Sequence, residues 1–385
     1  MKPIEQSFAV PYTYKLYFTQ GLFDVQNAQF HDVLQGYKKE GKVKLFFVID
    51  DGVAEHHPNL IAEIQDYCEH YKSLLQNTGS IIVGGGEHCK NNHTEVEAVL
   101  KGVNDYHIDR HSFVVAIGGG AVIDMAGYAA AIAHRGVKLV RIPTTVLSQN
   151  DSAVGVKNSI NTFGKKNFLG TFAPPYAIIN DSNFLKTLEQ RDWISGIAEA
   201  LKVALIKDKN FFEYIENNAI KLKDRDMEVM QYVIYKCAEM HMQHIAQGGD
   251  PFESGSSRPL DFGHWAAHKM EHMTNYELRH GEAVAKGIAL DVTYARLLEL
   301  ISEDELKRIL SVMEQIGFDL SVPSTTDQEI ADLLNGLQEF QEHLGGELCI
   351  TLINGIGVKY DVNVIDENLM KQALIQLNKS SKVNS

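Results

Sequence analysis

A chain of 385 residues with 44% hydrophobic and 22% charged side chains has the composition of a globular protein with a large core, and its length points to two domains. The net charge of −14 argues against nucleic acid as a partner, because tracking a phosphate backbone takes an excess of Lys and Arg. A small anionic substrate needs only a few local cations and stays open. Four singly spaced cysteines (Cys68, Cys89, Cys237, Cys349), no basic-then-apolar leader and no apolar run of ~18 residues predict a reduced, cytoplasmic protein without a membrane span.

In chain order, the first half alternates strand and helix. Lys44–Asp50, Ser80–Val83, Phe113–Ile117 and Val137–Ile142 are short apolar runs closed by polar, Gly or Pro residues, as strands buried on both faces of a parallel sheet are. Asn59–Tyr71 and His93–Gly102 carry helical spacing between them. The predicted class is α/β, with an N-terminal Rossmann-like parallel-sheet domain over 1–184. Beyond it Gly, Pro and β-branched residues thin out, and Asp192–Lys207, Asp226–Gln247, His264–Met273 and Gly281–Ser302 read as helices. This predicts a C-terminal all-α domain over 185–385, with a short strand at Leu348–Leu352 and a fraying tail at Lys379–Ser385. With no low-complexity linker, the two domains are expected to share a close interface, and a cleft there is the default active site.

Two signals carry chemistry. Gly118-Gly119-Gly120 stands between the apolar run at 113–117 and a predicted helix at Asp124–His134, where backbone amides can approach a phosphate. A tight strand–helix turn would look the same, but Asp50 and the Gly84–Glu87 segment end two further strands and strengthen a nucleotide reading. The second signal is histidine: His264 and His268 share a helix face, His280 follows, and Glu199 and Lys202 lie one turn apart on another helix. Spacing alone slightly favours a solvated histidine pair. His241 and His244 have less context and are read as surface.

Taken together, GGGAVIDMAGYAA (118–130), RGVKLVRIPTTVL (135–147), DSAVGVKNSIN (151–161), KKNFLGTF (165–172), GIAEALKVALIKD (196–208), DFGHWAAHKME (261–271) and HGEAVAKGIAL (280–290) resemble the dehydroquinate-synthase-like sugar-phosphate cyclases, in family order. The resemblance implies an N-terminal NAD-binding domain, a C-terminal metal-binding domain, and a small sugar phosphate as substrate. Glu199, His264 and His280 match the metal ligands, for zinc or alternatively cobalt or iron; His268 then belongs to the substrate, not the metal. Asp50, Glu87, Lys90, Gly119, Gly120, Asp124, Thr144, Thr145, Thr187 and Leu188 match the NAD contacts. Asp151, Lys157, Asn161, Lys166, Asn167 and Lys202 match positions lining the substrate pocket, and Arg135 one that reaches a neighbouring subunit, which implies a homodimer. The implied chemistry is redox-neutral: a ring hydroxyl is transiently oxidised, phosphate leaves, the ketone is reduced again, and an aldol closure forms the carbocycle.

Departures narrow the substrate. Dehydroquinate synthases grip a substrate carboxylate with a Lys and an Arg ahead of the second metal ligand. Here Ser257 holds the Arg position, Arg258 and Pro259 follow, and no lysine occurs between Lys236 and Lys269. Asp261 replaces the usual Asn, and a late phosphate-end lysine is replaced within Glu342-His343-Leu344. RPLDFGHWAAHKME (258–271), DPFESG (250–255), EHLGGEL (342–348) and LINGIG (352–357) resemble the branch of 2-epi-5-epi-valiolone synthases, which act on sedoheptulose 7-phosphate. A 3-dehydroquinate synthase with a rebuilt carboxylate pocket and a metal-dependent polyol dehydrogenase are the alternatives.

Overall fold

The computed structural model describes residues 3–37, 41–91, 93–252, 260–343 and 346–383. Ser257, Arg258, Pro259 and Leu344, on which part of the substrate reading falls, lie outside the described residues, as does the end of the 250–255 segment. The chain forms two compact units, one of residues 1–144 and 155–184, the other of residues 145–154 and 185–385. Segment 145–154, expected in the first domain, joins the second because Val146 packs into the helical core and the Asn150 side chain donates to the Gly196 carbonyl at 2.7 Å.

The first unit is built on a six-stranded sheet in the order β1 (Lys15–Thr19), β8 (Ala177–Asp181), β5 (Lys138–Pro143), β4 (Phe113–Gly118), β2 (Val43–Asp50), β3 (Leu75–Val83), every pair parallel. Strands β2 and β4 are buried almost throughout, which is why they read as continuous Val, Ile and Phe rather than alternating. Chain direction across the sheet reverses between β2, which leads outward to β3, and β4, which leads the other way to β5. The carboxyl ends at such a reversal leave a crevice where open α/β sheets bind ligands. Asp50 and Gly118 sit there. The helix expected at 124–134 starts earlier and spans Gly120–Ile132, so the Gly triplet forms its N-terminus.

An antiparallel hairpin, β6 (Lys157–Thr162) and β7 (Lys165–Phe172), lies outside the sheet and was not foreseen. Its polar, Gly-containing sequence lacks the apolar run that marked the other strands. Arg141 of β5, fully buried, anchors its base by donating to the Gly155 and Lys157 carbonyls and, at 2.8 Å, to Asn158 Oδ1.

The second unit is mainly helical. One core joins Trp193, Leu201, Phe212, Trp265, Ile288, Tyr294 and Leu333. The helix expected over 192–207 is two, Gln190–Ser195 and Ile197–Lys207. Gly196 stands between them, and the position requires glycine because a Cβ there would lie 2.3 Å from the Leu147 amide nitrogen. A short ribbon, β9 (Ile350–Ile353) with β10 (Lys359–Val362), qualifies the all-α expectation, and the final helix Glu367–Val383 continues where fraying was expected. Among the described residues no helix is long and apolar enough to cross a membrane.

Candidate active site

In the first unit the two strand ends approach closely enough to require glycine. A Cβ on Gly85 would lie 2.5 Å from Asp50 Oδ1, and one on Gly118 would lie 2.9 Å from Asp50 Cβ. Asp50 accepts from the Gly52 amide at 2.9 Å, and burial pushes its carboxyl above the ordinary range. Gly119 caps the helix Gly120–Ile132 without a side chain, so its first amides face the crevice mouth as donors for an anionic ligand. Thr144 is held at the same edge, its amide 3.0 Å from the Gly118 carbonyl.

Three residues expected to contact NAD, Glu87, Lys90 and Asp124, and two expected to line the substrate pocket, Asn161 and Asn167, form one network in this unit. Lys90, 3% exposed, donates to Asp124 Oδ2 at 2.8 Å, to Asn167 Oδ1 and to Ser159 Oγ. Burial works against its charge, but Asp124 and Glu87 outweigh that and raise its pKa. Asn161 donates to Glu87 and Asn91 and accepts from the Asn167 amide at 2.7 Å. With Asn167 Oδ1 engaged by Lys90 and Ser159, the Nδ2 end is the part suited to an anion. Lys157 is exposed and Lys166 half-buried on the same hairpin.

In the second unit, Glu199 and Lys202 lie one turn apart on the helix Ile197–Lys207, both buried and ion-paired. Glu199 Oε1 faces the Nε2 atoms of His264 and His280, each 3.6 Å away. That separation is too long for a hydrogen bond. It is close to the edge of about 3.4 Å in a tetrahedron whose centre lies ~2.1 Å from each ligand atom, the length of a zinc–imidazole or zinc–carboxylate bond. The other ring nitrogens are engaged: His264 Nδ1 donates to the Phe262 carbonyl at 3.0 Å, and His280 Nδ1 lies 3.2 Å from Glu271 Oε2. Burial opposes ionisation of Glu199, but the Lys202 ammonium and the two imidazoles hold its carboxyl well below the usual range. Three neutral-or-anionic donors converging on a point without hydrogen bonding one another fit a divalent cation.

His268, a ligand on helical spacing alone, is exposed and falls outside this trio; it groups instead with Glu271 and His280. Asp261 is 8% exposed, bonded through Oδ1 to Thr351 at 3.3 Å, while its Oδ2 is buried without a hydrogen-bond partner among the described residues. Asp151 lies in a π-turn, Ser148–Ser152, with Oδ1 3.0 Å from His241 Nδ1. His241, read as surface, is therefore a correction: it is 8% exposed, because the helix Met227–Gln247 packs against that turn. Thr145 is tied to Ser148, and the Leu188 carbonyl accepts from Arg225 at 2.7 Å beside an exposed Thr187. Two buried residues, Glu271 and Asp291, were not singled out in the sequence, and His241 was misread as surface.

Residues 80–195 match the family described as 3-dehydroquinate synthase N-terminal, and residues 196–339 match 3-dehydroquinate synthase C-terminal. The 3-dehydroquinate synthase of Shewanella sp. (strain MR-4) is 32% identical over 334 residues, 86% of this chain and 90% of that protein. The chain belongs to the 3-dehydroquinate synthase family. Within the sugar-phosphate cyclases that include this family, it is similar in structure to the 2-epi-5-epi-valiolone synthase ValA of Streptomyces hygroscopicus, solved with NAD+ and Zn2+ bound. The TM-score is 0.87 at 27% identity, covering 98% of this chain and 100% of that one. The fold is also that of 2-deoxy-scyllo-inosose synthase, solved with carbaglucose-6-phosphate, NAD+ and Co2+, at TM-score 0.76, 21% identity, and 94% and 96% coverage.

Proposed function

We propose that this member of the family cyclises a ketose phosphate that carries no carboxylate, sedoheptulose 7-phosphate being the candidate, with elimination of phosphate. The observation that carries the proposal is Asp261, whose buried Oδ2 has no hydrogen-bond partner among the described residues. A buried acceptor needs a donor, which a sugar hydroxyl supplies and a substrate carboxylate does not. Kinship with ValA, which is named for such a product, supports the same reading.

In this reading Asp50, Glu87, Lys90, Gly119, Gly120, Asp124, Thr144, Thr145, Thr187 and Leu188 hold NAD, which supplies a hydride acceptor that is regenerated in each turnover. Glu199, His264 and His280 hold a divalent cation, zinc or alternatively cobalt or iron, which supplies Lewis acidity. Lys157, Lys166, Asn167 and His268 provide donors for the substrate phosphate. Asp151, Asn161, Lys202 and Asp261 bind and orient its hydroxyls. Lys202, whose charge Glu199 and Asp151 stabilise despite burial, keeps a proton available as a hydrogen-bond donor. Arg135, exposed and in the left-handed region at φ 66°, is the residue proposed to reach a second protomer of a homodimer.

The competing reading is 3-dehydroquinate synthase, favoured by the names of the curated relatives at 32% identity. Asp261→Asn tests between them. This variant should lose activity on the neutral-ended heptulose phosphate and tolerate a carboxylate-bearing one better than the parent does. Parent enzyme that turns over only the carboxylate substrate supports the synthase reading instead. Net NADH formation from a simple polyol would indicate a dehydrogenase.

A further inference from the structure

His264 opens its helix with no side-chain cap before it: Gly263, the N-cap residue, is in the left-handed region at φ 77°. The residues on either side of His264 are both tied to one distant carboxylate. Asp291, on the helix His280–Leu297 and fully buried, accepts from the Gly263 amide at 3.1 Å through Oδ2 and from Trp265 Nε1 at 2.9 Å through Oδ1. The two helices touch closely here, since a Cβ on Gly287 would lie 2.0 Å from the Gly263 carbonyl oxygen. The preceding carbonyl, of Phe262, accepts from His264 Nδ1 and so sets which ring nitrogen points at Glu199.

From this geometry we infer that Asp291 is a positioning residue for the metal site, clamping the backbone before His264 and the indole after it so that the imidazole is aimed before any cation arrives. The inference rests on reading Glu199, His264 and His280 as metal ligands. When ionised, a carboxylate suits the clamp because both its oxygens accept, whereas an Asn at 291 turns one donor-facing position into a second donor. Burying a carboxyl carries a large desolvation cost. A leucine would fill the same space without that cost, but would leave the Gly263 amide and the indole N–H without acceptors.

The test is metal affinity of the stripped protein, measured by competition with a chromophoric chelator for Co2+, together with the visible spectrum of the cobalt form. Asp291→Ala and Asp291→Asn should weaken Co2+ binding by about 10- to 100-fold, the usual effect of losing an outer-shell partner, and shift the cobalt absorption bands. Trp265→Phe keeps most of the packing and removes one donor, and should give a smaller loss. Thr293→Val, which removes a buried hydroxyl from the same helix, serves as the control for stability. It should leave affinity and spectrum at parent values even where its melting temperature falls. Parent-like Co2+ binding by the foldable Asp291 and Trp265 variants would overturn the inference, as would an equal loss in Thr293→Val. Unchanged binding in His264→Ala would instead overturn the metal-site reading beneath it.

Discussion

His280 turns Nδ1 toward Glu271 Oε2 at 3.2 Å, which leaves Nε2 as the nitrogen directed at Glu199. Glu271 is 4% exposed, and its contact with the partly exposed His280 fixes both ring orientation and tautomer. Glu271→Ala should therefore weaken cation binding by about 10- to 100-fold, and Glu271→Gln, which keeps an acceptor oxygen, by less. Isothermal titration of the stripped protein with Zn2+ checks the order; equal affinity in all three would remove Glu271 from the site.

The Asp151–His241 contact predicts a separable effect. His241→Phe removes a partner from a largely buried carboxylate and should cost about 1–3 kcal/mol of stability. Because Asp151 is proposed to touch substrate, turnover should fall by more than that loss of folded protein explains. Denaturant unfolding and phosphate release, measured on the same preparation, separate the two.

Gly127 faces the hairpin with no room to spare. A Cβ there would sit 2.0 Å from Asn158 Oδ1, the atom to which Arg141 donates. Gly127→Ala should destabilise the first unit by about 1–3 kcal/mol through overpacking. It should also raise KM for the phosphorylated substrate more than it lowers kcat, because the strand that shifts carries Lys157. Unfolding midpoints and steady-state kinetics test both parts.

Asp291 predicts a pH dependence of stability. Burial pushes its carboxyl up to about 7, against the opposing pull of the Trp265 and Gly263 bonds. Between about pH 4 and pH 7 the folded protein thus retains a proton that the unfolded chain has released. More protons bound when folded means that this group's contribution to stability falls as pH rises through that window and levels off above it. The stability of metal-free parent protein minus that of Asp291→Asn should decline from pH 4.5 to 7 in denaturant titrations. A flat difference would mean that Asp291 is ionised throughout.

Much of the fold was legible because β2, β4 and β5 bury both faces and write that burial as unbroken apolar runs. Glu199, His264 and His280 were found by resemblance; spacing favoured His268, since i and i+4 share a helix face whatever stands opposite. His241 was hidden because its burial depends on the turn at 148–152, distant in sequence, while its own helix offers polar neighbours at Glu239 and Gln243. Asp291 was hidden in the reverse way. It interrupts the apolar stretch of Gly287–Val292 as a solvated residue would, and only the partners Gly263 and Trp265 reveal it as interior. The hairpin escaped notice because β6 is polar and β7 leaves its few apolar residues, Phe168, Leu169 and Phe172, largely exposed.

Phosphorus and carbon NMR of the purified, metal-loaded enzyme, supplied with sedoheptulose 7-phosphate and, separately, with a carboxylate-bearing heptulosonate phosphate, separates the two substrate classes. Inorganic phosphate and a new carbocycle are expected from the first, with no net change in NADH, and little or no product from the second. Consumption of the carboxylate substrate alone would contradict the proposed function.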